Sequence, residues 1–266
     1  MTTKVGYLVF DIETIPDGRL IAATRYAGEG LSSEAAVQRA REEAREASAT
    51  GSDFLSLSLQ YPVAVCVAKV GTDFRLQEIV CLDEPEYRTK ELVRLFWQGL
   101  DYYKPKLVSF NGRGFDVPVL ELAAFRYGLA APHHFAGKKD GFRYRYGDAH
   151  IDLMDFFTNH GAYRLAGGLN LLAKLLGKPG KMEVKGADVY DLYQAGELKT
   201  INDYCMFDVL DTYFVFLRSR VLTGELTGEA EQTLQREAKD WLVQQVGAKP
   251  HLQMYVDHWR DEPGWP

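Results

Sequence analysis

The stretch "YLVFDIETIPDG", residues 7 to 18, decides how the chain is read. Tyr7 to Phe10 have the aromatic and branched apolar character of a buried strand, and "IPDG" reads as the turn that punctuates it. At the strand's end the run delivers two carboxylates, Asp11 and Glu13. Successive strand side chains point to opposite faces, so these two share a face, ~6–7 Å apart, with Ile12 turned the other way. Like charges at that spacing repel, and a cation or a proton has to relieve them.

The rest of the composition bounds the answer. A chain of 266 residues can bury a sizeable core and sits at the upper end of one α/β domain, so a single domain with elaborations is expected. Apolar residues make up 46% and charged residues 26%, and no apolar run approaches the ~20 residues of a membrane span. Only Lys4 precedes a short apolar run, too short for a signal-peptide core, and Cys66, Cys81 and Cys205 form no CxxC pair. A reduced cytoplasmic setting is expected. The formal charge of −6 argues against a protein that coats nucleic acid by bulk electrostatics. It leaves room for an enzyme whose acidic centre binds cations and whose local basic segments hold phosphates.

Outward from the first strand, Tyr61 to Val70 and Phe74 to Leu82 read as a hairpin. Between strand one and this hairpin lies an excursion, 22–60, whose Ala- and charge-rich part from Ser32 to Ala49 reads as an exposed helix that would lie beside the mouth of any site. Helices follow over Glu86 to Tyr103 and Asp116 to Tyr127, with the short strand "KLVSFNG" between them. "HIDLMDFF" at 150–157 is a strand end passing into a helix, "GLNLLAKLLG" a compact helix, and Asp188 to Ala195 another. Lys199 to Leu222 is a long helix with Ile201, Cys205, Val209, Tyr213 and Phe216 on one stripe. This order predicts a mixed sheet with helices packed on it, and a polar helix and tail over 223–266 that pack back on a domain of residues 1–222.

Two further segments carry acids. "SFNGRGFDVPVLELAAF" puts Asp116 at a helix start, and "NDYCMFDVLDTYF" puts Tyr204 and Asp208 at i and i+4 on one helical face. Taken together, Asp11-x-Glu13, Asn111-x-x-x-Phe115-Asp116 and Tyr204-x-x-x-Asp208 resemble, in order and context, the three motifs of the DEDD 3′–5′ exonucleases. The tyrosine subgroup fits, because the position where the histidine subgroup carries its histidine is Asp203. More narrowly, "FDIETIPD", "HIDLMDFF", "LLGKPGK" and "YCMFDVLDTYFVFLR" resemble the predicted exonucleases similar to the proofreading domain of family B DNA polymerases, over roughly residues 5 to 222.

The resemblance implies a ribonuclease-H-like α/β fold with helices on both faces, free of a polymerase domain. It implies Asp11, Glu13, Asp116 and Asp208 as ligands of two Mg²⁺ or Mn²⁺ ions, and Tyr204 as the group that orients water. Two such ions can clamp the attacking and leaving oxygens of a phosphodiester displacement, which explains why oxygen ligands are needed in this number. The implied activity is release of nucleoside 5′-monophosphates from the 3′ end of a single strand, DNA favoured, in a repair-type role. An RNA-trimming nuclease and a non-catalytic nucleic-acid-binding subunit are the alternatives.

Other residues read less sharply. Taken alone, Asp116 is also a good helix cap, Tyr204 a packed aromatic, and Asp152 the start of a helix with Asp155 as a reserve ligand. Asn111 and Phe115 match family positions near the terminal nucleotide. His133, His134, His150 and His160 lack zinc-type spacing. "KKDGFRYRY" interleaves Lys138, Lys139, Arg143 and Arg145 with aromatics, and Lys178 and Lys181 recur near "GKPGK", a composition that suits a single strand's backbone and bases.

Overall fold

A computed structural model describes residues 3–136, 141–182 and 186–261. Five strands, β1 (Val5–Pro16), β2 (Gln60–Gly71), β3 (Leu76–Cys81), β4 (Lys106–Ser109) and β5 (His150–Asp152), form one sheet in the order β3-β2-β1-β4-β5. β1 runs antiparallel to β2 and parallel to β4, and β4 runs parallel to β5. The sheet is mixed, its parallel half spanned by crossovers through α3 (Thr89–Tyr103) and α4 (Asp116–Tyr127). In such sheets the crevice at the carboxyl ends of the strands, where the strand order reverses, is the natural place for a ligand.

Strand alternation divides the core in two. Leu8, Phe10 and Ile12 of β1 point, with Val65 and Val67 of β2, at α3 and α4, where Leu92, Val93, Phe96, Trp97 and Leu120 complete one core. Val9 points the other way, with Cys66, Ala68 and Val70, at α8 (Leu198–Leu222). Asp11 lies opposite Cys66 in the ladder and therefore shares the α8 face. The long helix and the carboxylates of β1 are thus set against each other by the pleat alone.

β1 differs from expectation in length. It does not end at the Asp11 and Glu13 pair but continues through Ile15 to Pro16, where a turn was expected, because β2 supplies an antiparallel partner as far as Gln60. β4, in contrast, pairs with β1 only from Tyr7 to Val9. Beyond Val9 one edge of β1 is open, and Asp11 and Glu13 stand on a strand that is held from one side and accessible from the other. The "PDG" that follows is a helix start: Asp17 caps α1 (Gly18–Thr24) by accepting from the Leu20 amide at 3.0 Å.

The excursion folds as α1 and α2 (Ser33–Ala47), capped by Ser32, around a small core of Ile21, Tyr26, Ala36, Val37, Ala40 and Leu55. α5 (Leu153–Thr158), α6 (Gly168–Leu175) and α7 (Val189–Gln194) precede α8. α8 is buried nearly all round rather than along one stripe. Its second face is covered by α9 (Gly228–Gln245) and α10 (Leu252–Asp257), with Leu234, Leu242, Leu252 and Tyr255 in the same core as Phe214 and Leu217. A helix covered on most sides is enclosed by neighbours, and here residues after Gly224 provide part of the enclosure. No described helix is long and apolar enough to cross a membrane.

Candidate active site

Asp11 and Glu13 from β1 and Asp208 from α8 each bring one carboxylate oxygen into a group in which all lie within 4.8 Å of one another. The side chains are half-buried. Burial pushes the carboxyls of Asp11 and Glu13 well above the ordinary range, and the negative charges of Asp116 and Asp208 push them further. Asp208 is raised by burial too, though the Tyr204 hydroxyl and the Lys181 charge pull it back. Three acids that cannot all ionise at ordinary cost are a site prepared for positive charge. Carboxylate oxygens at this spacing suit a hard divalent cation such as Mg²⁺ or Mn²⁺.

Asp116 stands at the edge of this group. It is buried in the first turn of α4, and its Oδ1 accepts the backbone amide of Ile12 at 3.1 Å. That amide lies beyond the end of the β1–β4 pairing, so Asp116 fills the place of the missing strand partner. Burial raises its pKa, with the Asp152 and Asp208 charges adding to the effect. The arrangement ties motif two to the strand that carries motif one. Tyr204 is buried one turn before Asp208, and its hydroxyl pKa is raised by burial and by the charges of Asp208, Glu13 and Asp11.

The loop ahead of α4 is built around Asp152. This residue caps α5 and also accepts the amides of Asn111 and Arg113, both at 2.9 Å. Its role is to hold the loop, as the helix-start reading suggests, and Asp155 is engaged by Arg145 at 2.6 Å. Asn111 adopts a left-handed conformation (φ 64°), and Gly112 packs so tightly that a Cβ would fall 2.2 Å from Ser109 Oγ. Phe115 contacts Phe54 of the excursion, ring centroids 6.0 Å apart. The excursion therefore touches motif two, and it also lines a cavity of about 470 Å³ that begins at Ile15, two residues past Glu13.

The basic residues divide. Lys181 is exposed near the carboxylates, and its charge lowers the pKa of Glu13 and Asp208. Arg143 pairs with Glu121 at 3.3 Å and lies over the Phe135 ring, and Arg145 pairs with Asp155; both remain half exposed. Lys138 and Lys139 lie outside the described residues. Lys178 corrects the sequence reading: it is 2% exposed, with Nζ 2.7 Å from Gln235 Oε1 and 3.8 Å above the Trp259 ring. Burial lowers its pKa to about 7. It anchors the C-terminal helices and does not face a strand.

Sequence reasoning missed two features of the site. Cys205, read as a core thiol, is in the core but also lies behind Asp11, with Sγ 3.3 Å from its backbone oxygen. His251 and Met254, some forty residues past Asp208, reach the surroundings of Tyr204. No local pattern around them marks a site, since their place depends on how α10 folds back.

The comparisons with known proteins agree with this geometry. No curated protein matches the chain. The structure of the family B DNA polymerase from the hyperthermophilic archaeon Pyrobaculum calidifontis is similar in fold, with a TM-score of 0.51 at 15% identity over 81% of this chain. The chain spans 24% of that polymerase. A family match covers residues 52–259, starting after the β1 acids and running through α9 and α10, which no sequence motif reached. Through that match the chain belongs to the family of predicted 3′–5′ exonucleases related to the exonuclease domain of PolB.

Proposed function

We propose that the protein hydrolyses phosphodiester bonds at the 3′ end of single-stranded nucleic acid, DNA by preference, releasing nucleoside 5′-monophosphates. The observation that carries this reading is the convergence of one carboxylate oxygen each from Asp11, Glu13 and Asp208 within 4.8 Å of one another. Asp11, Glu13 and Asp208, with Asp116 at their edge, would hold two Mg²⁺ or Mn²⁺ ions, which when bound supply charge neutralisation for the scissile phosphate and a more acidic water.

The protein's own groups account for the rest. Tyr204, held neutral by burial and by the surrounding acids, can hydrogen-bond the attacking water or a phosphate oxygen through its hydroxyl and fix its direction. Asn111 and Phe115, on the loop that Asp152 fastens, would meet the terminal nucleotide, a role that rests on the motif resemblance. Lys181 is exposed, its charge acts on Glu13 and Asp208, and it suits the next phosphate; Arg143 and Arg145 offer a second, partly compensated contact. The excursion, through Phe54 against Phe115, narrows the approach so that an unpaired strand enters more readily than a duplex end.

The test is hydrolysis of 3′-labelled and 5′-labelled oligonucleotides, DNA and RNA, with Mg²⁺ or Mn²⁺. Mononucleotide release from the 3′ label, abolished by EDTA and faster on DNA, is the expected result. Faster RNA trimming would change the substrate; binding without hydrolysis would make the protein an accessory subunit.

A further inference from the structure

The three cysteines are separated in sequence and meet in the fold, all as free thiols. Cys66 of β2 and Cys81 of β3 are directly opposed in the antiparallel ladder, so both side chains leave the same face of the sheet, toward α8. Their sulfurs are 2.9 Å apart. Both thiols also lie against the Asn202 carbonyl of α8, at 3.4 and 3.5 Å, two residues before Tyr204. Cys205 continues the chain on the same helix. It neighbours Cys66, and its Sγ is 3.3 Å from the Asp11 backbone oxygen and 3.7 Å from Asp11 Oδ2. Cys66 is itself the ladder partner of Asp11. A path of three sulfurs thus runs from β3, at the edge of the sheet, to a carboxylate of the candidate metal site.

A buried thiol taken singly is an ordinary core group. Two features set the Cys66 and Cys81 pair apart. Opposed residues on neighbouring strands have Cβ atoms ~4.5–5.5 Å apart, and a disulfide brings them to ~3.5–4.5 Å, so bonding needs a small closure and no change of register. Cys81 is also the last residue of the edge strand and is 6% exposed, whereas Cys66 and Cys205 are fully buried. Fraying at that strand end admits a small oxidant to Cys81 first. Burial pushes the thiols of Cys66 and Cys205 well up, which keeps them protonated and slow to react until a neighbour has been oxidised.

We propose that Cys66 and Cys81 are a modification site, forming a reversible disulfide in response to a peroxide, and that this bond turns down the adjacent carboxylate site. The second half rests on the exonuclease reading above; the first does not. The Cys81 sulfur attacks one peroxide oxygen, the O–O bond breaks, and the thiol proton leaves with the departing hydroxide as water, giving a sulfenic acid. The Cys66 sulfur then displaces the sulfenic hydroxyl, which takes the Cys66 proton as a second water, and the S–S bond forms. The two thiols lose two electrons and the peroxide gains them. In a reducing setting a thiol reductant reverses the bond. Closing the sulfurs from 2.9 Å to ~2.05 Å removes both S–H protons from around the Asn202 carbonyl and the Cys205 sulfur. Shifts of ~1 Å passed to Asp11 and Tyr204 are large enough to cost rate.

The experiment treats the reduced full-length parent and Cys81→Ser with hydrogen peroxide, removes the peroxide, and maps the cysteine peptides without reductant. Thermal melting checks the fold of both proteins. The parent should yield the Cys66 peptide joined to the Cys81 peptide, two hydrogens lighter than the pair. Its hydrolysis should fall at least ~5-fold and return with dithiothreitol, while Cys81→Ser keeps its rate through the same treatment. Failure to find the joined peptides in the parent would overturn the modification site. Joined peptides with an unchanged rate, or an equal loss in Cys81→Ser, would overturn the control of the carboxylates. If the reduced parent hydrolyses nothing, the exonuclease reading fails on its own, and Mn²⁺ titration decides the control instead. Binding at least ~5-fold weaker in the disulfide form supports it; equal binding, or none in either form, rejects it.

Discussion

Asp208 and Asp211 lie three residues apart on α8, about 60° apart around its axis, and their surroundings treat them in opposite ways. Asp208 looks into the crevice, among Asp11 and Glu13, with Tyr204 and Lys181 nearby. Asp211 looks toward the C-terminal helices and is 1% exposed, its Oδ1 accepting the Tyr255 hydroxyl at 2.7 Å and its Oδ2 without a hydrogen-bond partner among the described residues. Burial pushes the Asp211 pKa up to about 8. Both carboxyls are raised, and only one is gathered with other acids around an open space. A displaced pKa alone does not mark a catalytic group; what distinguishes Asp208 is that its neighbours carry the same charge and leave room for a cation.

The largest effect expected from this contrast is on turnover. Asp208→Asn should lower hydrolysis by at least ~10³-fold, because it removes a charge that any metal in the crevice needs, whereas Asp211→Asn should leave the rate within about twofold of the parent. Equal losses in the two variants would erase the distinction. The same contrast extends to the cations. Lys181, beside the acids and without an ion pair among the described residues, should on change to Gln weaken strand binding several-fold and flatten the salt dependence of affinity by ~0.7 log units per contact. Arg143→Gln with Arg145→Gln, both already paired with acids, should weaken binding less than the single Lys181 change. A larger loss in the double variant would return the main grip to the ribbon.

The smallest effect is on stability. A carboxyl whose folded pKa is about 8 and whose ordinary value is ~4 binds more protons in the folded state between those limits, so its contribution falls as pH rises through that window. Lys178 has the reverse sign: with a folded pKa of about 7 it favours folding as pH rises from 7 toward 10.5. Between pH 5 and 7 only the Asp211 effect changes between parent and Asp211→Asn, since the crevice acids are common to both. The melting temperature of the parent should therefore fall by a few degrees relative to Asp211→Asn over that interval. Parallel curves would show that Asp211 is ionised in the folded protein.

The contrast also explains what could be read in advance. Asp11 and Glu13 stood out because paired acids at a strand's end share a face and have no evident structural reason, whereas Asp208 stood out only through the resemblance of the three motifs, in their order, to those of the DEDD exonucleases. The sheet and most helices follow from apolar periodicity, and α4 runs over the expected residues, Asp116–Tyr127. The extension of β1 to Pro16 was not legible, because it depends on the length of β2. Lys178 misled for a related reason: its neighbours in sequence are polar and turn-forming, while the groups that bury it, Gln235 of α9 and Trp259 just past α10, lie more than fifty residues away. The burial of α8 on its second face and the wall that His251 and Met254 add beside Tyr204 have the same origin. Periodicity reports which residues want to be covered and is silent about what covers them.

The central claim is that the β1 and α8 acids together form a cation site, and calorimetric titration of Mn²⁺ into the parent, Asp208→Asn and Asp211→Asn tests it most directly. The parent and Asp211→Asn should take up Mn²⁺ with matching affinity, and Asp208→Asn should bind it at least tenfold more weakly while keeping a cooperative melt. Mn²⁺ binding in Asp208→Asn as tight as in the parent would contradict the account.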